Sequence, residues 1–213
     1  MIIRPFHHCL LFFTASLGAC IAPFDANPQS VNAGTDGQGI GQWHSFEPDM
    51  PVNSAPFQNM NVNWKQRIDQ PYVYVDFVGS YTETGRLLPS VHRSMVEQGL
   101  KPAGPPFGLF YDDPGKTPME QLRSRACVPV DERVQTSGSL RFDILPSTTV
   151  TYAYVAGAYP EVPRSLPGLF DYMAKSGWVE NGPIRETYLI APDSVTNFDE
   201  LITEVQIPVT YAN

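Results

Sequence analysis

The chain has 213 residues, 42% of them hydrophobic, with 21 prolines and 16 glycines, which allows one compact domain and an irregular segment beside it. Its formal charge of -8 argues against a nucleic-acid partner, because neutralising phosphates requires clustered Lys and Arg that this composition lacks. An acidic surface suits cationic ligands better.

The opening MIIRPFHHCLLFFTASLGAC places Arg4 before an apolar run from Cys9 to Phe13 and then small residues, the order of a secretory signal. The run is too short to span a membrane. Leu17-Gly18-Ala19-Cys20 resembles the bacterial lipobox, which implies removal of residues 1–19 as a signal peptide, lipidation of Cys20 and a membrane attached through that lipid. Ile21 behind it resembles sorting to the periplasmic face of the outer membrane. With Cys9 removed and Cys20 lipidated, Cys127 stands alone, so no internal disulfide is expected. Its setting, ACVPV, reads as a small buried hydrophobe. Residues 20–68 are rich in Asn, Gly, Pro, Gln and Ser without period 2 or 3.6, and read as a flexible linker in which Trp43, Phe46, Phe57 and Trp64 are unusual.

Residues 69–213 carry the folded domain, and it is written twice. YVYVDFVG (72–79) and VTYAYVAG (150–157) are β-branched and aromatic, each closed by Gly, and predict strands. LLPSVHRSMVEQGL (87–100) and LFDYMAKSGW (169–178) predict helices that stop at Gly99 and Gly177. GPPFGLFYDDP and GPIRETYLIAP give a second strand, and ACVPV and VQIPV a third. An ungapped offset of 78 superposes Tyr74 on Tyr152, Gly79 on Gly157, Tyr81 on Tyr159, Glu83 on Glu161, Arg86 on Arg164, Met95 on Met173 and Gly104-Pro105 on Gly182-Pro183. The offset becomes 79 at Val128-Pro129-Val130 and Ile207-Pro208-Val209. Repeats of about 70–133 and 148–211 therefore each spell strand, helix, strand, strand. Alone, such a unit exposes one sheet face and the edge of its hairpin. Two units joined about a pseudo-twofold predict an α+β fold: one antiparallel sheet, both helices on one face, and a ligand cleft at the seam.

This order, with VAGAY after the strand, GP before the hairpin, Glu-x-Tyr in RETYL and the closing VPV or IPV, resembles the GyrI-like small-molecule-binding domain over about 70–211. The resemblance implies the effector-binding role that such domains have in multidrug-responsive regulators, here without a helix-turn-helix region ahead of the domain. It implies a small organic ligand and an acidic pocket position, which Glu186 matches. Some GyrI-like proteins are hydrolases of strained-ring alkylating compounds, with a pocket Glu as acid-base, and SOUL-like haem binders share a similar duplicated plan. These remain alternatives to a lipid-anchored binding module.

Strand parity assigns the cleft residues. Val73, Val75 and Phe77 face the helices, leaving Tyr74 and Asp76 on the opposite face, with Tyr152 and Tyr154 in the copy. In the hairpin strand Glu186 and Tyr188 share a face and correspond to Gly108 and Phe110. Together Glu186, Tyr188, Phe110, Tyr74, Tyr152, Tyr154 and Asp76 are the expected ligand-binding set, an aromatic surface with carboxylates suited to a flat or cationic organic molecule. No cofactor is expected, no protein partner is identified, and His44 and His92 are too few and too far apart for a histidine-rich metal site. GQGIG has no strand before it, and DDPGKT has Phe110 where a phosphate loop needs its first Gly. No G-x-S-x-G is present.

Overall fold

In the computed structural model the described residues are 48–212. The signal, Cys20 and the first part of the linker lie outside them, as do Trp43, His44 and Phe46.

Nine strands and two helices follow one another as β1 (Asn63–Arg67), β2 (Gln70–Val78), α1 (Thr84–Glu97), β3 (Phe107–Phe110), β4 (Arg123–Pro129), β5 (Arg141–Leu145), β6 (Thr148–Ala156), α2 (Leu166–Lys175), β7 (Trp178–Glu180), β8 (Ile184–Tyr188) and β9 (Ile202–Tyr211). Both helices begin about three residues before their predicted starts. Each is led in by a 3-10 turn, Tyr81–Glu83 and Tyr159–Ser165. Gly99 (φ 68°) and Gly177 (φ 71°) then take the left-handed conformation past each helix end, as their spacing predicted.

The strands are antiparallel in the order β1-β6-β9-β8-β3-β4-β2-β5, with β7 added beside the end of β9. That order forces a curl. β1 and β2 are six strand spacings apart, about 29 Å in a flat sheet. Only residues 68 and 69 join them, and three virtual Cα bonds reach about 11 Å. The link between β5 and β6, residues 146 and 147, makes the same demand from the other edge. The sheet satisfies both by rolling into a half-barrel with two helices, the α+β plan read from the duplication. The end of β1 meets the second link: Arg67 Nη2 donates to the Pro146 carbonyl at 3.1 Å.

Rolling creates two unlike faces. On the outer one, α1 lays Val91 and Met95 over Val73, Ala126 and Val128, while α2 lays Leu169 and Met173 over Ala153, Val155, Val205 and Ile207. These two apolar cores are equivalent under the pseudo-twofold. Among the described residues no helix covers the inner face, yet Tyr72, Phe107, Leu109, Cys127 and Tyr152 are buried there because the sheet covers itself. Cys127 is fully buried, as its apolar context suggested.

Two features depart from the sequence reading. Residues 63–67, assigned to the linker, form an edge strand on β6, and residues 48–62 pack on the domain ahead of it. Met50 and Val52 lie against Tyr152 and Tyr154 inside, and Phe57, Met60 and Val62 against the α2 core outside. NWKQR has no apolar alternation because four of its five side chains are wholly or partly solvated, so the pattern that identifies half-buried strands is missing. β1 and β5 are also related by the offset of 78, so the repeated unit begins one strand earlier than read, at 63 and 141. Second, Trp178 belongs to β7 rather than to the end of α2, and packs against the α2 core.

Candidate functional site between the helices

The helices cover the flanks of the sheet, α1 over β2 and β4 and α2 over β6, leaving the paired central strands β3 and β8 to floor the gap between the two cores. Register decides what that floor displays. Glu186 lies across from Gly108 on one side and Val205 on the other, and Val205 lies across from Ala153. Ala153 and Val205 face α2, so Glu186 and Tyr188 point to the helix side, together with Gly108 and Phe110.

Aromatic rings surround the carboxyl. Tyr188 packs against Tyr159 with the rings tilted by 50° at 4.6 Å between centroids, and Phe110 meets Tyr81 edge-on at 4.9 Å. Tyr81 and Tyr159 are pseudo-twofold mates on the 3-10 turns. Each is fixed by its hydroxyl, which donates to the carbonyl two residues beyond the strand aromatic: Tyr81 to Asp112 at 2.9 Å and Tyr159 to Ile190 at 3.0 Å. Gly108 makes the arrangement possible. A Cβ there would stand 2.8 Å from the Phe110 ring and 3.0 Å from the Tyr188 hydroxyl, so any larger residue would displace the rings.

Glu186 is buried, and among the described residues no hydrogen bond or ion pair reaches its carboxyl. Desolvation alone therefore governs it, pushing its pKa up to about 8 and leaving the group largely protonated at neutral pH. Burial pushes the Tyr159 hydroxyl up to about 12 and raises the Tyr188 hydroxyl well above its ordinary value, the latter with help from the neighbouring Glu186. What the cleft offers is an acid without a counter-ion under a set of π faces.

The structure divides the expected set. Glu186, Tyr188 and Phe110 come together in this cleft, whereas Tyr74, Asp76, Tyr152 and Tyr154 lie on the inner face with protein partners of their own. The Arg125 guanidinium sits 3.9 Å above the Tyr74 ring and its Nε donates to Asp76 at 3.0 Å. Lys65 sits 4.1 Å above the Tyr152 ring, and the Tyr152 hydroxyl donates to Asp49 at 3.0 Å. Tyr154 stacks edge-on against Tyr152 at 5.8 Å. The parity was right within each strand. What placed the two groups together was an assumed phase between strands, which register alone supplies. Tyr81, Tyr159 and Gly108 were not singled out, although the repeated Tyr-x-Glu after each turn glycine marked the first two. A shallow pocket of about 290 Å³ between α2 and residues 57–62, lined by Phe57, Met60 and Tyr172 among others, does not include Glu186.

A rolled antiparallel sheet with two outer helices, and an acid held among aromatic rings between them, defines a small-molecule-binding domain. The chain belongs to the family of the GyrI-like small molecule binding domain, whose model matches residues 60–210. None of the curated proteins matches the chain at a significant level. Among solved structures it is similar to the C-terminal domain of EcmrR, at 18% identity and a TM-score of 0.66, covering 73% of this chain and 100% of that one. In the complex of EcmrR with DNA the match spans only 58% of the EcmrR chain and 71% of this one, with 18% identity and a TM-score of 0.65. It is also similar to a hydrolase from Listeria innocua (11% identity, TM-score 0.53, covering 71% of this chain and 92% of that one). SAV2435 bound to tetraphenylphosphonium is another neighbour (16% identity, TM-score 0.52, covering 71% and 94%).

Proposed function

We propose that the cleft between the helices binds small organic cations with aromatic groups, in a protein tethered to the cell envelope through lipid on Cys20, at the periplasmic face of the outer membrane. The observation that carries the binding reading is the Glu186 carboxyl, buried beneath aromatic rings with no cation paired to it among the described residues. A delocalised cation supplies the missing charge without demanding the hydration that an ammonium loses, and Tyr188, Tyr159, Tyr81 and Phe110 supply faces for it. The neighbour that holds tetraphenylphosphonium makes that cation the natural probe. The LGAC motif and the polar stretch behind it support the tether. Loss of fatty-acid labelling in Cys20→Ser is its test.

Titrating tetraphenylphosphonium into wild type and Glu186→Gln tests the binding reading. Gln keeps shape and removes charge, so affinity should fall more than tenfold, the scale of roughly 1.5 to 3 kcal/mol for a charge-assisted contact. Wild-type affinity should also rise between pH 6 and pH 8, because the cation binds the ionised carboxyl and must displace its proton. Equal affinities in the two proteins, with no pH dependence, would refute the assignment.

A second reading has one observation in its favour. A carboxyl still protonated near neutral pH in a desolvated aromatic cleft is a competent general acid, and one neighbour is a hydrolase. In that case Glu186→Gln keeps ligand binding and loses turnover.

A further inference from the structure

On the inner face, two rows of side chains cross the rolled sheet. One runs Tyr152, Gln206, Arg185, Leu109, Arg125, Asp76, and the other Tyr154, Glu204, Thr187, Phe107, Cys127, Tyr74. Arg125 is engaged through Nε with Asp76 and through Nη1 with Asp143 and the Tyr72 hydroxyl. Arg185 is not. It is 6% exposed, its guanidinium lies 4.0 Å above the Phe107 ring, and no described residue accepts a hydrogen bond from it. Arg67, 8% exposed, gives Nη2 to the Pro146 carbonyl while its Nε and Nη1 are buried without an acceptor.

Two guanidiniums buried on one face, each with donors unmet, is an unfavourable arrangement unless something negative joins them. Glu204 does not meet the need: its carboxylate takes Lys65 and the Gln206 side-chain amide. Gln206 Oε1 is itself without a partner, but one neutral acceptor cannot serve three unmet donor nitrogens, Arg67 Nε and Nη1 and Arg185 Nε. Charge points the same way. Lys65, Arg67 and Arg185 against Glu204 leave a local excess of positive charge inside a chain whose total is -8. The Thr187 hydroxyl, also buried and unpaired, adds a donor in the adjacent row. Burial and the nearby Arg67 bring the Arg185 pKa down to about 10, with Glu204 opposing, so Arg185 remains cationic at neutral pH.

We propose that the interior of the half-barrel is a second binding site, for a small oxyanion held by Arg185 and Arg67 with Thr187 and Gln206 beside them. The Arg185 guanidinium, held over the Phe107 ring, is a planar fork of N–H donors, and a carboxylate meets such a fork with two parallel hydrogen bonds. Short carboxylates are therefore the best fit, with inorganic phosphate sharing the chemistry. The site lies on the opposite side of the sheet from Glu186 and does not depend on what the cleft binds.

Acetate, inorganic phosphate and chloride, each titrated into the full chain at constant ionic strength, provide the test. At about a hundredfold excess over its dissociation constant, a bound oxyanion should raise the melting temperature by about 5 to 10 °C over chloride. The rise should be lost in Arg185→Met, which keeps the stack on Phe107, and kept in Glu186→Gln. Whichever oxyanion gives the larger rise names the source. The Arg185 and Arg67 Nε–H resonances of ¹⁵N-labelled wild type should move saturably in the same titration, a readout that survives if Arg185→Met does not fold. Resonances that stay still, oxyanions no better than chloride, or an undiminished rise in Arg185→Met would overturn the site.

Discussion

Tyr74 in the first copy and Tyr152 in the second occupy the same place, and each carries a cation over its ring, but the cations come from different strands. In the first copy Arg125 on β4 is the cation and Asp143 on the edge strand β5 its partner, at 3.0 Å. In the second the β9 position holds Glu204 and the edge position on β1 holds Lys65. The ion pair between inner and edge strand has been kept and its polarity reversed. On the helix side the opposite happened: the apolar cores stayed alike, while the seam became unlike, Gly108 standing where the second copy has Glu186. A duplicated fold is thus free to change charge wherever a partner can change with it. It becomes asymmetric for good only at the seam, where the two copies share one cleft and need supply one acid and one gap.

The largest expected effect lies at that asymmetric position. Folding takes the Glu186 pKa from about 4.5 to about 8. The native state then holds a proton that the unfolded chain has released everywhere between those values, so stability falls as pH rises through that window. Below pH 4.5 the group contributes no difference, and above pH 8 it costs on the order of 4 kcal/mol. Glu186→Gln removes the penalty. Denaturant unfolding of the ligand-free protein should show the variant more stable than wild type at pH 8 and level with it at pH 4.5. A wild-type advantage at pH 8 would mean that a cation already reaches the carboxyl.

The symmetric part makes the complementary claim. Met95 and Met173 are superposed by the repeat, buried to 1% and 3% exposure, and packed under their own helices. Truncating either to Ala should cost about 3 kcal/mol, and the two costs should agree within about 1 kcal/mol. A twofold disagreement would show that the segments leading into the edge strands, Phe57, Met60 and Val62 beside the α2 core and Val134 and Leu140 beside the α1 core, carry unequal shares of the two halves.

Much of this was legible because duplication supplies an internal control. Tyr81, Gly99 and Gly104-Pro105 each recur at one offset, so a pattern too weak to trust once could be trusted twice, and the α+β order followed. Three things were not legible. β1 hid because an edge strand with solvated side chains has no period. The start of the unit at 63 hid because Asn63-Trp64-Lys65-Gln66-Arg67 and Arg141-Phe142-Asp143-Ile144-Leu145 share position and no residue. The division of the expected ligand-binding set between two faces is the third: alternation places Glu186 with Tyr188, but whether either shares a face with Tyr152 depends on the pairing of β8 with β9 and of β9 with β6. A one-residue slip in either pairing would have reversed it.

The reversed ion pairs give the smallest effect and the sharpest contrast. In the first copy the less exposed member is the cation, Arg125 at 21% side-chain exposure, and Asp143 is half exposed at 49%. In the second the buried member is the carboxylate, Glu204 at 9%, and Lys65 is exposed to 34%. Removing the outer partner should therefore not cost the same on the two sides. Asp143→Asn leaves Arg125 with Asp76, the Tyr72 hydroxyl and the Tyr74 ring, so the loss should stay within about 0.5 kcal/mol. Lys65→Met leaves the buried Glu204 with the Gln206 amide alone in direct contact among the described residues, and should cost about 1 to 2 kcal/mol. Urea unfolding of the two variants at pH 7 measures the difference. If Lys65→Met is as mild as Asp143→Asn, then Arg67 and Arg185 already compensate Glu204 through the interior field. Their charge is in that case spent on a protein carboxylate rather than held for a ligand.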